Sequence, residues 1–433
     1  MTTDDARASG SSTDPGARRR SGAATGAPPL PRPAPSGPAP ARWPWWLPPL
    51  LVVALTRLVD VVVLWQLGRE QSALDVGQGF YLLEPVPAAP GYGDLASNWD
   101  GQWYRTIAED GYPTDLPRYE GKVQQNPWAF FPLFPFATRL LMALTGLSFG
   151  LAAAVLGIVA STVALCLLHR MVARRAGAYV GLLTTAALSV SPAGAVLVTG
   201  YSEAVSLLVL VLVLDALSRR RYGLVVLGAV VLGFTRPIAL ALVPVVLVHA
   251  ALRWRAEGPL PRAEVVRLAV TAAAATAAFG LWPLTAAVVT GEPDAYLSTQ
   301  AAWVLTDERS WQTWAALLLG SGGVGPAVDV AVVLAVVLAI VLQPAARVWA
   351  PELRAWVLSY GAFLLLTTRP TPSITRYALF LLVVWWPFPT LGRTWHRAAQ
   401  ALVLVGVLAL GFALQHEWLR THYVLSPERL AYP

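Results

Sequence analysis

Apolar runs of membrane length, separated by short turns that carry arginine, repeat from residue 44 almost to the C-terminus. About 20 helical residues cross roughly 30 Å of hydrocarbon at 1.5 Å per residue, so each run can be measured against that length. The first is Pro44–Gly68. Arg18 to Arg20 and Arg42 precede it, which by the positive-inside bias puts the N-terminus in the cytoplasm and the next loop outside. Ala129–Gly146 is apolar enough to cross. If it did, Phe149–Met171 would cross back and leave Arg170, Arg174 and Arg175 outside. Two early prolines and Arg139 also suit an interfacial helix, so the first outer loop is read as 69–148.

Two hairpins follow between cytoplasmic arginines: Tyr179 to Arg219 through SPAGAVLVTGYSE, and Gly223 to Arg253 with its turn at Thr235-Arg236-Pro237. The second has legs of about 13 and 15 residues, near 20 Å each, which are short for a full crossing. A charged turn at that depth has to face protein or a wet cavity. Glu264–Thr290, a second outer loop Gly291–Gly325, Pro326–Gln343, Arg354–Thr368, Tyr377–Leu391 and Ala399–Gln415 complete the pattern. The expectation is an all-α polytopic membrane protein of about 11 membrane helices, N-terminus inside and C-terminus outside, in the plasma membrane.

Composition agrees with this and excludes soluble classes. Of 433 residues, 56% are hydrophobic and 13% charged, with mean hydropathy +0.54. Water-facing surfaces of ordinary area cannot bury that much apolar side chain. The net charge of +7 lies in clusters between apolar runs, the orientation signal of membrane loops, and no nucleic-acid partner is expected. Cys166 is the single cysteine, which rules out a disulfide framework. Residues 1–43, rich in Pro, Ala, Gly and Arg, are expected to form a disordered cytoplasmic tail ahead of a membrane domain over 44–433. The five histidines show no metal spacing, there is no P-loop, and nothing calls for a metal or other cofactor.

The polar residues left on the outer side are few: Asp94, Asp100, Glu109 and Asp110, then Tyr201, Ser202 and Glu203, then Arg236, Gln300, Arg369 and Arg376. The densest group is NWDGQWYRTIAEDGY, where Trp103 with Ile107 and Tyr104 with Ala108 predict a short amphipathic helix over Gly101–Asp110. Asp100 just before it reads as an N-cap, or as a carboxylate held between Trp99 and Trp103 to act as a base. Glu203 after Tyr201-Ser202 equally suits an acidic first helical turn, and Arg236 the carbonyls freed at its turn. Arg57 and Asp60 read as an intrahelical pair.

The run NWDGQWYRTIAEDGY followed by AFFPLFP resembles the signature of the PIG-V-type mannosyltransferases, within the GT-C class of membrane glycosyltransferases. SPAGAVLVTGYSEAVSLLVL, GFTRPIALAL and SITRYALFLL agree in order, so the likeness runs from about residue 45 to 390 and omits the tail and the last helix. It implies an essential acidic residue in the first outer loop, interfacial helices there, a polyprenyl-phosphate sugar (usually mannose) as donor, and a lipid-linked or glycan acceptor. Eukaryotic relatives act in glycosylphosphatidylinositol anchor synthesis, and that acceptor does not carry over to a bacterial-looking sequence. The family's Trp-Asp pair falls on Trp99 and Asp100. The expectation is therefore an inverting transfer with Asp100 as base and Arg376 and Arg236 at the phosphate. Trp99, Trp103, Tyr104, Tyr201, Glu203 and Gln300 complete the expected substrate contacts. A lipid or solute transporter is the alternative, since broken short helices and buried charges also mark that class.

Overall fold

The computed structural model describes residues 43–77, 82–303, 310–321 and 323–427. All of the expected N-terminal tail except its last residue, Trp43, lies outside the described residues. Helix accounts for 72% of the described residues, and the strand content described is one hairpin, β1 (Arg118–Tyr119) with β2 (Lys122–Val123). The helices are α1 (Leu47–Gly68), α2 (Tyr92–Ala96), α3 (Asp100–Asp110), α4 (Leu133–Thr145), α5 (Phe149–Ala176), α6 (Ala178–Ser189), α7 (Glu203–Ser218) and α8 (Tyr222–Leu232). They continue as α9 (Leu242–Glu257), α10 (Arg262–Thr290), α11 (Ala295–Ala301), α12 (Ser310–Leu318), α13 (Val324–Leu342), α14 (Pro351–Thr367), α15 (Ile374–Tyr377) and α16 (Arg397–Trp418).

Five stretches among the described residues are long and apolar enough to cross a membrane: Leu47–Gly68, Phe149–Ala176, Ala239–Glu257, Arg262–Thr290 and Arg397–Tyr423. The protein is an all-α integral membrane protein. At 13 residues, about 20 Å, α4 is shorter than the roughly 20 residues that cross the hydrocarbon core.

Three expectations change. The second leg of the 235–237 hairpin is not short: a 3₁₀ turn at Ala239–Ala241 runs directly into α9, and together they make 19 residues. Tyr377–Leu391 is not an α-helix. After α15 the chain continues as a 3₁₀ segment, Ala378–Trp385, broken at Leu382, whose φ of +48° a β-carbon disfavours. Asp100 is the first residue of α3, not its cap; Trp99 holds that position, and no side chain caps the helix.

The long helix α5 organises the region around the candidate site. Its buried face is small: Gly150, Ala152 to Ala154, Gly157, Ala160, Ser161 and Ala164. Small residues let backbones approach where lipid offers no hydrophobic drive for association. A β-carbon on Gly150 would fall 1.9 Å from the Gly93 carbonyl oxygen, and one on Gly157 would fall 2.6 Å from that of Leu197. So α2 and the 194–198 turn seat directly on this stripe. They are then tied to each other by Gly200 N–H donating to Ala96 O (2.7 Å) and Tyr92 Oη donating to Val198 O (2.7 Å). The segments that lead into Asp100 and Glu203 are thereby fixed side by side.

A buried charge pair ties α1 to the rest. Arg57 meets Asp60 at 3.1 Å and donates to Gly194 O (3.0 Å), Ser189 O (2.7 Å) and Ser189 Oγ (2.7 Å). Gln415 of α16, oriented to satisfy both amide atoms, donates to Asp60 (2.9 Å) and accepts from Ala195 N–H (2.7 Å). The pair lies within α1 with its members three residues apart, the intrahelical arrangement expected from their spacing.

Candidate active site

The turn into α3 is held in an uncommon conformation. Trp99 has φ +56° and ψ −121°, a region that costs a side-chain-bearing residue on the order of 1–3 kcal/mol. The surroundings hold it there. Its indole N–H donates to Tyr423 O (3.0 Å), while the Asn98 amide donates to Gln71 (2.7 Å). The Gln102 amide oxygen accepts from Leu83 N–H (2.8 Å), and its nitrogen donates to Glu84 O (2.9 Å). Tyr423 also packs 6.1 Å from the Tyr201 ring and donates to Leu95 O (3.0 Å). The chain after α16 thus straps the back of the site.

From this mount Asp100 meets charges from three other parts of the chain. Arg376 Nη1 donates to Asp100 Oδ2 at 2.8 Å and lies 3.3 Å from Glu203 Oε1, which in turn lies 2.7 Å from Arg236 Nη1. Two carboxylates and two guanidiniums alternate in one line. Side-chain exposure falls from 30% at Asp100 and 15% at Arg236 to 4% at Arg376 and 1% at Glu203. The ends of the line are accessible and the middle is not. The Arg376 guanidinium lies 4.7 Å over the Tyr201 ring, and that of Arg236 lies 5.0 Å over Tyr377 and 5.5 Å over Phe380.

Asp100 and Arg236 open into one cavity of about 890 Å³. Tyr104, Thr235, Gln300 and Arg369 add polar groups to its wall, and Ile238, Phe279, Tyr360, Phe363 and Leu364 make another side apolar. Tyr104 donates to Ser202 Oγ at 2.9 Å, and burial pushes its hydroxyl above the usual phenol range, so it remains a neutral donor. Gln300 donates to Ala129 O at 3.3 Å.

Of the residues singled out from sequence, Asp100, Tyr104, Arg236, Gln300 and Arg369 face the cavity. Glu203 and Arg376 sit behind it, so Arg376 backs Asp100. Trp99 points into the rear cluster with Tyr201 and Tyr423, and acts on Asp100 only through the backbone. Trp103 is buried, stacked 5.8 Å from Phe130 and edge-on to Trp303 at 5.3 Å, and so supports a cavity wall. Sequence reasoning missed the apolar side contributed by Phe279, Phe363 and Leu364, because an aromatic in a membrane helix looks the same facing lipid as facing a cavity. It also missed Tyr423, whose contribution is a backbone carbonyl that every residue has.

No protein-family model matches the chain, and no curated protein matches it. Solved structures do. ArnT from Cupriavidus metallidurans bound to undecaprenyl phosphate is 14% identical with a TM-score of 0.47, over 88% of this chain and 76% of that one. The oligosaccharyltransferase from Archaeoglobus fulgidus in complex with Zn and sulfate gives 12% and 0.43, over 84% and 52%. AglB from the same organism, in complex with an inhibitory peptide and a dolichol-phosphate, gives 12% and 0.41, over 90% and 56%. The chain spans about half the length of the oligosaccharyltransferase chains.

Proposed function

We propose that this protein is a membrane glycosyltransferase that moves mannose from a polyprenyl-phosphate donor to a lipid-linked or glycan acceptor on the outer face of the plasma membrane. The observation that carries the reading is one cavity joining an apolar side to an accessible carboxylate and an accessible guanidinium. A donor of this class has an isoprenoid chain, a single phosphate and a sugar in sequence. The apolar side at Phe279, Phe363 and Leu364 suits the chain, Arg236 the phosphate, and the space towards Asp100 the sugar and the incoming hydroxyl. The motifs that resemble those of PIG-V-type mannosyltransferases support mannose as the sugar.

Asp100 takes the proton of the acceptor hydroxyl as its oxygen attacks the anomeric carbon. The bond to the donor phosphate breaks from the opposite side, giving inversion. Arg236 stabilises the charge that gathers on the departing phosphate, and works best in a site from which water is largely excluded. Arg376, ion-paired to Asp100 on its far side, fixes the direction in which the carboxylate points.

Arg236→Gln tests the donor site. A hydrogen bond to a charged group is worth about 1.5–3 kcal/mol, so the donor KM should rise by about 10–100-fold. The acceptor KM should stay unchanged. An unaltered donor KM would remove Arg236 from the phosphate site.

A further inference from the structure

The four charges are threaded through single atoms. Arg376 Nη1 is shared between Asp100 Oδ2 (2.8 Å) and Glu203 Oε1 (3.3 Å), and that same Oε1 is shared between Arg376 and Arg236 (2.7 Å). Glu203 reaches neither solvent nor the cavity, so it cannot touch a substrate bound there. Taking a carboxylate out of water costs several kcal/mol unless its partners offset it, so this placement calls for a role. An oxygen shared by two cations can close on one only by drawing away from the other. What strengthens one contact weakens the other.

We infer that Glu203 is a positioning residue that couples protonation of Asp100 to the positive charge Arg236 presents to the leaving phosphate. The inference rests on the transferase reading above. At rest, two carboxylates and two guanidiniums make the line neutral overall. In the transfer step the acceptor O–H bond breaks and its proton goes to Asp100, while the acceptor oxygen bonds to the anomeric carbon. The bond from that carbon to the phosphate oxygen breaks, and its electron pair stays on the phosphate. The phosphate changes from a singly charged diester to a monoester of about two negative charges. Asp100 therefore loses one negative charge as the phosphate gains one, and the total is unchanged. Arg376, without Asp100, draws on Glu203 alone. The hold of Glu203 on Arg236 weakens, and more of the Arg236 field falls on the phosphate when it is needed.

Binding of undecaprenyl phosphate to the full chain in detergent tests this without any sugar transfer. Asp100→Asn stands for the protonated base. In an otherwise wild-type protein it should tighten binding by about tenfold, and in a Glu203→Gln background it should have almost no effect. Arg376→Gln breaks the line one link earlier and should abolish the tightening too. It serves as the second background where Glu203→Gln elutes as an aggregate. Equal tightening in every background would mean that Asp100 acts on the phosphate directly through space; that overturns the coupling and leaves the transferase reading intact. No tightening by Asp100→Asn in the wild-type background also overturns the coupling. A wild-type protein that binds no undecaprenyl phosphate would sink both.

Discussion

Asn in place of Asp100 lowers sugar transfer by about 10²–10⁴-fold, the contribution expected of one general base, and does not raise the donor KM. Asparagine keeps the size of the side chain and can still accept from Arg376, while Glu203 still neutralises that arginine. The helix start is not weakened either, since the Asp100 side chain caps nothing. The unfolding temperature in detergent should accordingly stay close to wild type, separating lost chemistry from lost structure. Near-normal turnover by this variant would show that the proton leaves by another route.

The largest effect on stability belongs to a residue remote from that chemistry. Arg57→Leu should destabilise the protein by about 3–5 kcal/mol, as expected when one partner of a buried ion pair is removed. The leucine leaves Asp60 with a single amide partner in Gln415 and takes the donor from the Ser189 and Gly194 carbonyls. Three elements loosen together: α1, the end of α6 and the 194–198 turn. Thermal or chemical unfolding in detergent measures the loss, and the donor KM of the protein that remains folded should be unaltered. A variant as stable as wild type would mean that the Arg57 contacts are not what joins α1 to the bundle.

Much of this was legible in the chain because charges in apolar segments have few places to go. Asp100, Glu203, Arg236 and Arg376 come from distant segments, and the cost of exposing each to hydrocarbon drives them together. Which of them faces the cavity was not legible. That depends on side-chain direction over a few ångströms, and an alternating line of two acids and two arginines has several neutral pairings. The structure puts Arg376 behind Asp100 and Arg236 in front, against the order of emphasis that sequence alone gave. The strap after α16 carries no motif at all, because its Tyr423 works through a carbonyl. The 3₁₀ segment Ala378–Trp385 reads as an ordinary apolar helix in sequence; its break at Leu382 is a local backbone choice that apolarity does not encode.

The most direct test places the purified protein in liposomes with polyprenyl-phosphate mannose labelled in the sugar, together with a lipid extract of its own cells. The account predicts that label leaves the donor and enters a new lipid or glycan product with wild type, and remains on the donor with Asp100→Asn. Labelled donor that stays chemically intact, yet crosses the bilayer only when the protein is present, would contradict it and identify a transporter.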